Sequence, residues 1–87
     1  MNIDISAVYI VMIDSKGVLA FQPFTRDRWL KLDTLYNSVD HSDSVMLFKI
    51  MLSPEEQYAI KWMIKLKHYM AAAMELTAIR IQRGDAL

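Results

Sequence analysis

The residue types best suited to catalysis or metal binding lie together in one short stretch, Asp40-His41-Ser42-Asp43. Carboxylate, imidazole and hydroxyl groups make up a hydrolytic triad, but a triad is assembled from separate segments around an oxyanion site. Neighbours in a short loop seldom point at one another, so we interpret this stretch as a solvated loop that caps the next element. A metal ion bound by His41, Asp40 and Asp43 would need a further ligand, most naturally His68.

No other motif indicates an enzyme. His68 falls on the polar side of a helical pattern, and we interpret it as an exposed helix residue. The sequence lacks a P-loop, a dinucleotide-binding glycine motif, a zinc-protease motif and a nucleophile elbow, and its two glycines leave little material for a phosphate-binding loop. We therefore expect no catalytic residue, no metal and no cofactor.

Three lysines in the C-terminal part of the chain, Lys61, Lys65 and Lys67, are the candidate nucleic-acid contacts. Residues 60–83 carry five basic groups and one acidic group, and clustered positive charge attracts phosphate backbones. The whole chain, however, has ten basic and ten acidic residues. The alternative interpretation is a solvated helix face, and a helix lying on a membrane surface is a weaker one.

These lysines would be positioned by one long helix, which the sequence predicts over residues 53–83. Ser53 supplies the N-cap, Pro54 suits the first helical position, and Glu56 lies where a capping-box glutamate reaches back to the cap. Gly84 provides a stop. At ~100° per residue the apolar stripe is nearly twice as wide as packing on one small core requires. We therefore expect part of this helix to bury against another chain.

The partner-binding anchors should be large apolar or aromatic side chains on that stripe, because such residues dominate interface energetics. The same helical wheel places Gln57 on the polar side. The residues that we select as anchors are Trp62, Leu66, Tyr69, Met70 and Ile81.

The first half of the chain predicts a β-hairpin followed by a helix. Residues 3–13 are almost continuously apolar and rich in β-branched types, which is typical of a buried strand. Residues 14–17 form a turn signal, and residues 18–22 predict the second strand. Thr25 is the expected N-cap of an amphipathic helix over residues 26–38.

Residues 45–52 are ambiguous between a buried strand and a short buried helix. A strand would complete a three-stranded sheet, whereas Met46, Leu47 and Lys49 favour helix and almost no loop separates the segment from Ser53. On balance we favour the helix slightly.

Composition limits the remaining possibilities. The 87 residues predict one small α+β domain, 1–87, and the absence of cysteine excludes disulfides and cysteine-ligated metals. The chain has no signal-peptide pattern and its longest apolar segment is interrupted by charges, so we expect a cytoplasmic protein without a transmembrane helix.

An apolar content of 54% in a small domain without disulfides favours oligomerisation or a permanent partner. We expect a non-enzymatic interaction protein, an accessory subunit or inhibitor that binds a larger partner. We also expect this chain to form a homodimer through its C-terminal helix. The alternative is a small nucleic-acid-binding regulator.

Overall fold

The computed structural model describes residues 4–38 and 44–84 and contains one antiparallel sheet with helices on both faces. This architecture confirms the predicted α+β class with its N-terminal hairpin and its helical C-terminal region. The strand order is β2-β1-β3. The elements in chain order are β1 (Ala7–Asp14), β2 (Gly17–Pro23), α1 (Arg26–Ser38), β3 (Met46–Leu52), α2 (Pro54–Lys65) and α3 (Tyr69–Gln82).

The β1–β2 hairpin closes as the turn signal predicted. The Asp14 carboxylate accepts hydrogen bonds from the backbone N–H of Lys16 at 2.7 Å and of Gly17 at 3.1 Å. Gly17 has a φ of 141°, a conformation that residues with a Cβ rarely adopt. The helix over Arg26–Ser38 is also confirmed, and the Thr25 hydroxyl accepts from the Arg28 N–H at its start.

The third apolar segment is a strand, so the slight preference for a helix was wrong. β3 pairs with β1 over seven positions, from Ala7 opposite Leu52 to Ile13 opposite Met46. Without β3, the backbone N–H and C=O groups along one edge of the apolar strand β1 would have no hydrogen-bond partners. Pairing with β1 therefore outweighs the helix propensity of the methionine and leucine residues.

The predicted single helix over residues 53–83 is two helices, which is the main correction to the sequence analysis. The His68 N–H donates to the Met63 carbonyl at 2.7 Å, and the Lys67 N–H donates to the Ile64 carbonyl at 3.0 Å. This is the Schellman arrangement, with Lys67 in the left-handed position at a φ of 61°. A straight helix of ~30 residues would be ~45 Å long, longer than the 36 Å maximum extent of the domain.

Because α3 folds back on α2, both helices contribute to the same core. The core joins alternate residues of the sheet to the inner sides of the two helices, and its buried members are Tyr9, Val11, Phe21, Leu52, Ile60, Ala72 and Leu76. The opposite sheet face carries Ile10, which is fully buried. Lys49, the cross-strand neighbour of Ile10, lies 4.5 Å from the Trp29 ring of α1. That contact places α1 on this second face.

Glu56 joins the beginning of α2 to the end of α3. The predicted capping box is present, because Ser53 accepts from the Glu56 N–H while Glu56 accepts from the Ser53 N–H. Glu56 is 3% exposed and forms ion pairs with Arg80 and Arg83, each at 2.8 Å. Burial alone would raise the pKa of Glu56, but hydrogen bonds from Arg80, the Ser53 N–H and Arg83 outweigh it and lower the pKa to about 2.

Gln57 corrects the helical wheel, which placed it on the polar side. Its side chain is 3% exposed, and its amide nitrogen donates to the carbonyls of Ile5 at 2.8 Å and Leu52 at 3.1 Å. These bonds satisfy a buried amide and tie the residues before β1 to the start of α2. Within residues 4–38 and 44–84, no helix has both the length and the apolar character needed to cross a bilayer.

Candidate functional site

Six structural segments converge on one cavity of about 400 Å³, which we name the basic cavity. Small-molecule sites in proteins usually occupy about 300 to 1,000 Å³, so this volume suits one compact ligand. The cavity lies where the end of the hairpin meets the start of α1 and the α2–α3 turn. Its lining residues are Tyr9, Gln22, Pro23, Arg28, Lys61, Ile64, Lys65, Lys67 and Tyr69.

The backbone places four cations around this cavity. Lys61 and Lys65 are four residues apart on α2 and therefore lie on one side of that helix. Lys67 follows in the left-handed position of the turn. Arg28 comes from the first turn of α1, where its guanidinium donates to the Pro23 carbonyl at 3.1 Å.

The electrostatic character of the basic cavity is one-sided. Its lining contains four basic side chains and no carboxylate. The ion pairs between described residues join Glu56 to Arg80 and Arg83, and none of the four cavity cations takes part in them. Positive charges that surround a concave surface of low dielectric constant produce a strong positive potential there. This potential attracts anions.

Aromatic rings border the same cations. Trp62 is 62% exposed, and its ring centre lies 4.8 Å from the Lys65 Nζ and 5.6 Å from the Lys61 Nζ. The Lys61 Nζ also lies 5.0 Å from the Tyr58 ring. Tyr9 also lines the cavity, and burial raises the pKa of its phenol.

A second surface, the outward side of α3, is apolar. We name it the α3 apolar face and define it as Met70, Ala71, Met74, Thr77, Ala78 and Ile81. Met74 and Ile81 are 66% and 59% exposed, and a shallow groove runs between them along Thr77 and Ala78. The charged residues of α3 are Glu75 and Arg80, and Arg80 is already paired with Glu56.

The five predicted anchors do not form one stripe, because the turn at residues 66–68 separates them. Trp62 lies on the outward side of α2, and Leu66 at its C-cap is 63% exposed. Met70 and Ile81 lie on the α3 apolar face, where the Met70 sulfur accepts from the Val18 N–H at 3.1 Å. Tyr69 packs against the core and lines the basic cavity. Whether these residues bind a partner stays a prediction.

Of the residues first considered for chemistry, His68 lies within the described residues. Asp40, His41, Ser42 and Asp43 lie outside the described residues. His68 is exposed at the N-cap of α3, where its side chain makes no capping hydrogen bond. Within residues 4–38 and 44–84, no three His, Asp or Glu side chains are grouped as metal ligands would be.

Sequence reasoning identified the three lysines but missed the rest of the basic cavity. Arg28, Tyr9 and Pro23 belong to elements whose local patterns are those of an ordinary helix start and an ordinary hairpin. Their meeting with Lys61 and Lys67 depends on how the elements pack. No spacing within the sequence carries that information.

Comparison of the chain with protein-family models, with characterised proteins and with solved structures gave no match. The two surfaces of the chain that suggest a function are the basic cavity and the α3 apolar face.

Proposed function

We propose that this chain is a non-enzymatic interaction protein, an accessory subunit or inhibitor that binds a larger partner. The chain also self-associates through its C-terminal helical hairpin. The observation that carries the proposal is the α3 apolar face. A surface helix normally presents charged and polar side chains to water. This helix instead presents Met74 and Ile81, which are 66% and 59% exposed, with alanine and threonine between them.

The composition of this face favours contact with another helix or groove. Alanine and threonine allow two backbones to approach, while flanking methionine and isoleucine side chains supply adaptable apolar area. A helix of 14 residues presents a ridge ~21 Å long, enough for three successive turns to contact a partner. In a two-fold dimer, each copy would use the same ridge.

The test is the absolute mass of the purified chain, measured by size-exclusion chromatography with light scattering over a range of concentrations. We expect a dimer for the wild-type chain and a monomer for the double variant Met74→Glu, Ile81→Glu, because two carboxylates would have to be desolvated at the interface. Asn37→Glu, which adds a carboxylate at an exposed position of α1, is the matched control and should remain dimeric.

Circular dichroism distinguishes lost association from lost folding. The double variant should keep the wild-type spectrum, since both positions point away from the core. A wild-type chain that is monomeric at every concentration contradicts self-association. A double variant that is unfolded would mean that these side chains stabilise the fold, and the assignment of this face to a partner would then be wrong.

A second candidate function, a small nucleic-acid-binding regulator, is favoured by one specific observation. Lys61, Lys65 and Lys67 line the same cavity with Arg28, so the predicted basic residues are gathered in space rather than spread along a helix. Binding of this kind should weaken steeply as salt rises, because phosphate contacts release counterions. Absence of binding to both single-stranded and duplex oligonucleotides at low salt would contradict this candidate.

A further inference from the structure

We propose that the basic cavity binds one nucleotide unit, with its phosphate among the four cations and its base stacked on Trp62. This inference deepens the second candidate function by naming the ligand unit and its site. It is independent of the interaction proposed for the α3 apolar face, which lies on the outward side of a different helix.

The phosphate part of the proposal depends on charge and position. Lys61 and Lys65 come from α2, Lys67 from the turn and Arg28 from α1, so the cations approach the cavity from different directions. A phosphate group has several oxygen acceptors and is bound well by converging charged donors. Since no carboxylate lines the cavity, a bound cation would meet four positive side chains and no negative one.

Lys67 supplies an independent reason to assign a role to this wall. The left-handed position of a Schellman turn is usually glycine, because a Cβ there costs free energy. Lysine occupies it at a φ of 61° and lines the cavity. Backbone strain of this kind is often retained where a side chain is needed at a binding site.

The base part of the proposal depends on Trp62. Its indole is 62% exposed and lies outside the cavity lining, but the ammonium groups of Lys65 and Lys61, which do line the cavity, lie over its ring at 4.8 and 5.6 Å from the ring centre. A base would stack on the part of the indole that these ammonium groups leave exposed. Stacking of a base on an exposed aromatic ring contributes about 1 to 3 kcal/mol in single-strand binding proteins. The volume of about 400 Å³ accommodates the phosphate and sugar, while the base lies outside the cavity on Trp62.

The test is titration of the 87-residue chain with four probes at low salt: adenosine 5′-monophosphate, a ten-residue single-stranded oligothymidylate, a ten-base-pair duplex and inorganic phosphate. Calorimetry gives the affinities. The chain has two tryptophans, so in a Trp29→Phe background the fluorescence comes from Trp62. Stacking of a base on Trp62 then appears as quenching. We expect the mononucleotide or the single strand to bind with quenching, and to bind more tightly than inorganic phosphate.

Variants locate the site. Lys61→Gln with Lys65→Gln should weaken binding at least about tenfold, the loss expected for removing charged hydrogen-bond donors. Lys31→Gln, which removes an exposed lysine of α1 outside the cavity, should bind as the wild type does. Trp62→Ala should abolish the preference for the nucleotide over inorganic phosphate.

The outcomes distinguish a free nucleotide from a nucleic-acid strand as the ligand. They also distinguish failure of the inference about the cavity from failure of the nucleic-acid regulator proposal. Mononucleotide binding as tight as that of the single strand supports a free nucleotide and contradicts the nucleic-acid regulator. Tighter, salt-sensitive binding of the single strand supports both. Binding of duplex without mononucleotide or single strand, equal binding of inorganic phosphate without quenching, or no binding at all would overturn the inference about the cavity.

Discussion

The basic cavity and the α3 apolar face are built in opposite ways. The cavity is concave and charged, and its wall combines side chains from two strands, three helices and the α2–α3 turn. The α3 apolar face is a shallow, uncharged surface, and one helix supplies all of it. The cavity therefore exists only in the assembled fold, whereas the face would exist wherever α3 is helical. This difference suits a small ligand at the first surface and a macromolecular surface at the second.

The largest effect that would sharpen this comparison should come from Glu56→Gln. Glu56 holds the end of α3 through Arg80 and Arg83. These arginines flank Ile81 of the α3 apolar face and lie at the opposite end of α3 from the turn that borders the cavity. We expect the free energy of unfolding to fall by about 2 kcal/mol, because charge-assisted hydrogen bonds to a buried group are lost. Chemical denaturation measures this change.

At temperatures where the variant is folded, association through the α3 apolar face should weaken while nucleotide binding stays within error of the wild type. Equal loss of both activities would mean that the two surfaces are not independent.

The pH dependence of stability tests the role of Glu56 at the α3 end of this comparison. The folded-state pKa of Glu56 is about 2, below its ordinary value of 4.5. A depressed carboxyl pKa stabilises the folded chain above the unfolded-state value, and this contribution is lost as pH falls from about 4.5 towards 2. The wild-type unfolding free energy should decline over that interval. Glu56→Gln should decline less steeply, and identical slopes would contradict the assignment.

The smallest effect should come from Lys67→Gly, which should make the chain more stable but weaken its nucleotide binding. Relief of the left-handed strain should raise the free energy of unfolding by about 0.5 to 1 kcal/mol. Loss of the ammonium should weaken nucleotide binding, and the mass in solution should not change. Thermal melts and titrations together check this variant. A variant that is less stable than the wild type would show that the lysine side chain stabilises the turn.

Local patterns predicted much of the fold. The hairpin turn at Asp14, the N-cap at Thr25 and the capping box at Ser53 are each specified by a few adjacent residues, and each is confirmed. The segment over Met46–Leu52 was harder, because its composition suits a helix and only pairing with β1 makes it a strand.

The helix break was not predictable from the local pattern. Lys65, Leu66 and Lys67 are good helix formers, and neither glycine nor proline marks the turn. The chain turns there because α3 must reach the same core as α2. The same packing brings Arg28 to the lysines, which is why the candidate site could be predicted only in part.

Lys49 has a consequence for the behaviour of the protein at high concentration. β3 lies at one end of the sheet order β2-β1-β3, and Lys49 is the one charged residue in its seven-residue sequence. Exposed edge strands of apolar composition can pair with one another and aggregate, and an edge lysine is a common protection against this. The ammonium of Lys49, held 4.9 Å from the Phe24 ring, makes edge-to-edge pairing costly and so keeps a methionine-rich strand from acting as an aggregation template.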